Sequence, residues 1–550
     1  MYTRSIAAAA LLVAAGAAVA QDAPLFDRPF NGVPVAREAG FTRIVPLDPN
    51  RGLPERNLDP GDLPGRFSED EVVPAEMGMT AGFAYLGQFI DHDIDLTLED
   101  EHTFLLPPFV KSIANVDGEF LNLRTPGLDL DSVYGFGPFE SFSADEGWYD
   151  LDTGVGLRFV FGTGPSGGHD HHRDAITNRA LIGDHRNDEN GLVGQVHRAF
   201  QLLHNVTVDR ILERDAIDEM TLTPGSDAWW DVFNEARNFT TAYYQGIVGN
   251  DFMPRLTGRS LFDAMDDAVE PLGALPEGPQ IPLEFAHGAY RLHTIVPNQI
   301  QIGSDDFVSP IDPILRSTVH WGYLFGPRAV AASRVDTSVS AHLRDIVSLT
   351  IPGVGSVNLD LGEINILRGR ELATPSGEEY LYYLKDELGI EARADTIRGK
   401  QVLNWSSGGL MFDDPDDAPM MDDLFAENTD IWAYVMAEAT LNNGLLGPVG
   451  QDILERTFAN IMLADPYSLV GANSNQFTAA QLDFFKSATF DGLLAMIYVQ
   501  GDLNNSNRVD MSDLSMFLAM WGTDDLGSDI DGNGIVEAKD LAHLLVNWSE

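Results

Sequence analysis

Three stretches of this chain set proton-accepting, cationic and carboxylate side chains at helical spacing. In residues 80–96, TAGFAYLGQFIDHDIDL, Gln88 stands three before Asp91 and four before His92. A helix there projects all three from one side and buries Phe83, Leu86, Gly87 and Ile90 on another. In residues 182–190, IGDHRNDEN, Arg186 and Glu189 are three apart, ahead of a helical pattern with Val196, Ala199, Phe200, Leu203 and Val206 on one face. In residues 284–298, EFAHGAYRLHTIVPN, His287 and His293 offer imidazoles to a metal. An imidazole accepts a proton near neutrality, and an always-charged guanidinium stabilises negative charge on a departing atom. Plainer readings fit the same residues: a polar helix end with a capped histidine, and a surface ion pair at i,i+3.

Other stretches carry oxygen donors. TPGLDLDSVYG (125–135) sets Asp129 and Asp131 two apart, beside Thr125 and the Gly127 turn; such loops suit calcium, or make a plain acidic turn. Near the C-terminus Asp502, Asn504, Ser506, Asp510 and Asp513 occupy loop positions 1, 3, 5, 9 and 12, with Arg508 at position 7. Asp529, Asp531, Asn533, Ile535, Glu537 and Asp540 repeat the pattern 27 residues later. This is EF-hand-like spacing with Asp at the last position, and Asn507 in place of a glycine predicts weaker binding by the first loop. The run from Gly168 to His172 reads as a flexible polar loop or a transition-metal site. His197 and His204, seven apart, read as packed helix histidines.

Taken in order, these strings resemble the animal-type haem peroxidase family, which also contains the cyclooxygenases and fatty-acid dioxygenases. GQFIDHD resembles its distal-helix motif and GDHRNDEN…HRAFQLLHN its GDxRxxE segment. EARNFTTAYYQGIVGNDFMP (235–254) resembles a helix between motifs, EFAHGAYRLHTIVPN the proximal helix, and INILRGRELATPSGEE (364–379) the arginine-rich motif. The resemblance implies haem b between the helices bearing His92 and His293. His92 would be the distal base, Gln88 would line the oxidant pocket, Arg186 would reach into it, and His293 would ligate iron. Asp91 and Glu189 would esterify the haem, and Asp93 would share a structural calcium with Thr125, the Gly127 carbonyl, Asp129 and Asp131. Hydrogen peroxide and a small reducing substrate, such as a halide or phenol, would be the reactants.

Two departures stand out. Tyr290 lies three before His293, where peroxidases have arginine and the oxygenase branch has its radical-forming tyrosine; a fatty-acid dioxygenase is therefore the rival activity. Glu378 stands where an asparagine normally bonds the proximal imidazole, which predicts a carboxylate partner and a lowered iron potential. The paired C-terminal loops resemble the dockerin type I family, whose partners are cohesin domains; a generic calcium-stabilised tail is the alternative. A non-catalytic calcium-binding scaffold is the non-enzymatic reading of the whole.

These sites need elements to hold them. Helical patterns at 192–213, 229–248, 378–388, 430–440 and 479–498, with few alternating strands, predict a mainly α fold. The expected organisation is a signal peptide at 1–20, ending Ala18-Val19-Ala20, a helical domain at 21–498 and a small EF-hand-like module at 499–550. Residues 22–82, rich in Pro, Gly and Asp, read as an extended wrapping segment. With 84 acidic against 34 basic side chains the formal charge is −50, which repels nucleic acid and anionic membranes and attracts divalent cations. Cysteine is absent, so disulfides and thiolate ligation are excluded and a haem would take histidine. No long apolar run follows the leader, so a transmembrane anchor is not expected, and secretion or a cell-surface location is.

Overall fold

The computed structural model describes residues 39–46 and 79–96 and most of 121–389 and 429–548. The leader at 1–20, most of the wrapping segment, and Asn504, Ser506, Arg508, Asp531 and Asn533 lie outside the described residues.

The chain is mainly α, as its periodicity predicts. Helices around the site are α1 (Ala81–Ile94), α2 (Gly191–Arg214), α3 (Asp227–Ile247), α4 (Leu361–Glu371) and α5 (Gly377–Tyr382). They are followed by α6 (Ile431–Leu441), α7 (Pro448–Ala464), α8 (Ala479–Lys486) and α9 (Phe490–Ile497). Described strands form only two-stranded antiparallel pairs, the longest joining Val347–Ile351 to Gly355–Leu359.

Local chemistry starts and stops these helices. The Asn190 side chain accepts from Leu192 N at the head of α2, and Ser226 from Trp229 N at the head of α3. The run 479–498 is two helices and not one: the first ends at Lys486 with Ser487 as its C-cap, and Thr489 caps the second by accepting from Gly492 N. The stretch resembling a proximal helix is also broken: a π-turn at Phe285–Ala289 is followed by a 3-10 turn at His293–Ile295.

α1, α2 and α3 pack in sequence on an aromatic core, in which Phe89 stacks on Phe200 (centroids 5.0 Å) and Trp229 on Phe233 (5.2 Å). Where α3 meets α8, a Cβ on Gly246 would stand 1.9 Å from the Phe485 carbonyl oxygen, so only glycine fits. At the C-terminus α10 (Met511–Ala519) and α11 (Ala538–Val546) enclose a separate small core of Val509, Phe517, Val536 and Leu544. No described helix is long and apolar enough to cross a membrane.

Candidate active site

α1 and the broken segment 285–295 wall a cavity of about 430 Å³, within the range that holds ligands. Its polar lining includes Gln88, Asp91, His92 and Glu189, together with Tyr290, Arg291 and His293. Helical spacing on α1 delivers the first three to this wall, while Glu189 reaches the lining from the residue before Asn190, which caps α2.

His92 is buried, and its Nδ1 lies 2.8 Å from Asn187 Oδ1. Burial, reinforced by the charge of Arg186, lowers its pKa to about 3, so the ring is neutral at pH 7. Arg186 itself does not line the cavity. Its Nε and Nη2 donate to Asp184 (3.1 and 2.8 Å), and Nη2 also donates to the carbonyls of His92 (3.0 Å) and Asp95 (2.8 Å). The physical reason is Asp184, a buried carboxylate that needs cations. Burial works against its charge, but Arg186 and Arg124 hold it well below the ordinary range. Arg186 therefore grips the C-terminal carbonyls of α1 from outside the cavity.

Asp91 has a buried oxygen, Oδ1, with no hydrogen-bond partner. Burial raises its pKa, against the pull of Arg291 and Arg186. Tyr290 stacks on Phe285 (4.6 Å), and its hydroxyl donates to the Gly87 carbonyl at 3.2 Å. Of the two histidines in this segment, His293 faces the cavity; His287 is buried outside it with both ring nitrogens unpartnered.

The expected partner of His293 is corrected. Glu378 does not approach it: this carboxylate accepts from Thr429 N (2.9 Å) and Oγ1 (2.7 Å). The Asn365 amide lies 3.1 Å from His293 Nδ1 instead. α4 packs against the broken segment that leads to His293, so the second residue of INILRGR, and not the head of α5, meets the ring. The signal was the asparagine inside that motif. For Nε2 to bind a metal, Nδ1 must carry the hydrogen and the amide must turn its oxygen toward it.

Behind α1, Asp93, Asp129 and Asp131 bring ligand oxygens within 4.8 Å of one another. Asp93 accepts from Ser132 Oγ (2.7 Å) and from the amides of Leu130 and Ser132 (both 3.2 Å), while Thr125 Oγ1 donates to Asp129 (3.0 Å). Gly127 N closes the turn on Thr125 O at 2.8 Å, and Leu130 adopts φ 60° between the two aspartates. Burial, then the like charges of Asp131 and Asp129, push the Asp93 carboxyl well up, because carboxylates gathered this closely repel one another. Arg124 ties this loop to the distal side by donating to Asp131 (3.3 Å) and Asp184 (2.5 Å).

In the C-terminal loops Asp513 and Asp540 are buried and close capping boxes, accepting from Asp510 N (2.8 Å) and Glu537 N (2.9 Å). Asp529 is buried, Asp502 half-buried and Ile535 exposed. His169–His171 is a β-strand paired with Phe161–Thr163 rather than a flexible loop, because its backbone bonds and a buried His171 hold it.

Residues 106–504 match the family model described as animal haem peroxidase. The chain belongs to the animal haem peroxidase family. Among relatives, a peroxidase-like protein of Margaritifera margaritifera is 24% identical, over 82% of this chain and 62% of its own length. Lactoperoxidase of Mesocricetus auratus is 23% identical over 85% of this chain and 70% of its own length. The peroxidasin homolog pxn-2 of Caenorhabditis elegans is 24% identical over 68% of this chain, which spans 28% of that protein. In fold, peroxidase A from Dictyostelium discoideum matches with TM-score 0.59 and 15% identity, covering 88% of this chain and 98% of that one. A fatty acid alpha-dioxygenase of Arabidopsis thaliana matches with TM-score 0.57 and 17% identity, covering 84% and 78%.

This animal haem peroxidase cavity fits the group that names the family. It presents a neutral imidazole, a second imidazole oriented by an amide, and a buried carboxylate oxygen that nothing in the protein satisfies.

Proposed function

We propose that the chain is an exported haem peroxidase that reduces hydrogen peroxide at the expense of a small donor, with haem b held between His92 and His293. The observation that carries this reading is one cavity lined by His92, His293 and the unpartnered Asp91. Bound haem supplies the iron that splits peroxide and stores oxidising equivalents. The neutral His92 accepts the peroxide proton and returns it to the oxygen that departs as water. Arg186 keeps that imidazole unprotonated and holds its helix end; Gln88 orients the peroxide. Asn365 orients His293 as the iron ligand. Asp91 and Glu189, which both line the cavity, would be the carboxylates that esterify the haem. Overall, with a phenol as donor, peroxide takes two electrons and two protons from two donor molecules and leaves as two waters; with a halide, one oxygen passes to the halide and the other leaves as water.

Calcium belongs among Asp93, Thr125, Asp129 and Asp131, and in the C-terminal loops, where we read α10 and α11 as a calcium-stabilised appendage. Export rests on the leader-like sequence at 1–20.

The test is an optical titration of haem-loaded protein. A Soret band that shifts with peroxide and returns with a phenol or bromide is expected; His92→Leu should slow the shift about 10²–10⁴-fold. No Soret band in the wild type overturns the reading. Acid–organic extraction should leave haem on the protein, and release it from the Asp91→Asn/Glu189→Gln variant. Tyr290 on the cavity wall supports a second reading, a fatty-acid dioxygenase; oxygen uptake on linoleate that vanishes in Tyr290→Phe would favour it.

A further inference from the structure

His92 begins a line of hydrogen bonds that runs away from the cavity. Its Nδ1 faces Asn187 Oδ1 at 2.8 Å, and Nδ2 of the same amide faces His197 Nδ1 at 3.0 Å. Asn187 and His197 are both fully buried. Behind His197 stands His171, edge-to-face with ring centroids 5.1 Å apart and itself buried, so the line ends in an imidazole pair and not in solvent. A Cβ on Gly194 would come within 3.3 Å of the His171 ring, so the α2 backbone seats that ring closely.

An amide is directional: its oxygen only accepts and its nitrogen only donates. Oδ1 against His92 requires the ring hydrogen on Nδ1, which leaves the Nε2 lone pair free. Nδ2 against His197 requires a lone pair on that ring's Nδ1, which puts its hydrogen on Nε2. The reversed amide would fix the opposite tautomers and leave His92 with no free Nε2 lone pair.

We propose that Asn187 and His197 are positioning residues that fix the tautomer and ring plane of His92. Asn187 sets the tautomer, and His197, hydrogen-bonded to the far side of the same amide, anchors the plane of that amide. Donation to His197 also polarises the amide, so its oxygen holds the His92 N–H more strongly. The inference rests on the reading of His92 as the proton acceptor, and it adds two residues that touch neither the cavity nor any reactant. The sequence offers no spacing clue to it, since His92 and Asn187 lie 95 residues apart.

The test uses Asn187→Ala, Asn187→Asp and His197→Phe in the full chain. Cyanide association with the ferric haem protein requires a base for the acid's proton, and the C–O stretch of the ferrous carbonyl form reports the polarity facing the ligand. Asn187→Ala should slow cyanide association about 10- to 100-fold, the usual loss when an orienting partner is removed. It should also shift the C–O stretch, with a loss of stability, read as a lower melting temperature, from the ring nitrogens left unpaired. Asn187→Asp, still an acceptor for Nδ1–H, should restore the rate; His197→Phe should lose part of it. Unchanged association and stretch in Asn187→Ala, or an aspartate variant no better than alanine, overturns the proposal. A readout independent of haem is an exchange-protected imidazole N–H proton resonance, downfield of the amides, that disappears in Asn187→Ala. If the wild type binds no haem but shows this resonance, the peroxidase reading falls and the positioning pair stands. If the resonance is absent from the wild type, the pair falls.

Discussion

At the scale of single residues, the cavity is built from groups that the fold alone leaves poorly satisfied. Asp91 keeps a buried oxygen without a partner, and burial raises its pKa. Asp91→Asn should therefore raise the stability of the haem-free protein, by about 1 kcal/mol or more given what unpaired buried charge costs, while weakening haem retention. Melting curves with and without haem read both effects. Gln88, Asp91 and His92 were legible in the sequence, because a helix makes neighbours of residues three and four apart. The partner of His293 was not. Asn365 reaches it across 72 positions, through the packing of α4 on an irregular turn that carries no periodicity. Arg186 was legible as a cation near the site, but its grip on the carbonyls of α1 depends on the buried Asp184, whose burial no local pattern announces.

At the scale of elements, contacts between helices are set by backbone approach and by buried acceptors. Gly246→Ala forces a Cβ into the Phe485 carbonyl, and should cost at least about 2 kcal/mol in chemical denaturation. Glu438, on α6, is fully buried and accepts from Val449 N (3.0 Å) and Gly450 N (3.2 Å) in the first turn of α7. Burial raises its carboxyl from the ordinary value of 4.5 to about 8, against the pull of those two amides. A folded-state value above the unfolded one gives stability that is whole below 4.5 and is lost as pH rises through about 8. Glu438→Gln keeps an acceptor and cannot ionise. It should melt like the wild type near the acidic end and exceed it by roughly 2–4 kcal/mol above that upper value. Helix positions were readable because their apolar periodicity is strong. The break within 479–498 and the π-turn before Tyr290 were not, because a single cap or an extra backbone residue hardly disturbs that periodicity.

At the scale of the whole molecule, the two apolar cores and the carboxylate cluster among the described residues predict how the chain responds to truncation and to cations. A chain ended at residue 498 should keep its main thermal transition, since α10 and α11 pack on their own core. In that shortened chain calcium should still raise the melting temperature, with about 2.7 kcal/mol gained when free calcium is 100 times its dissociation constant. Asp129→Asn should blunt that response. Calorimetry with calcium and with a chelator measures both. The acidic excess that the composition announces thus includes, beside solvated carboxylates, three that the fold gathers together, Asp93, Asp129 and Asp131.

Arg124 spans Asp131 in the cation loop and Asp184, which in turn grips Arg186 and, through it, the end of α1. A cation seated at Asp131 would compete with Arg124 for that carboxylate, while the bond from Arg124 to Asp184 would still link the loop to the end of α1. Such a link would give loading a direction: metal first, prosthetic group second. A chain that meets haem before calcium would have to close its ceiling around a guest already inside, and should load it more slowly than one that meets them in the opposite order.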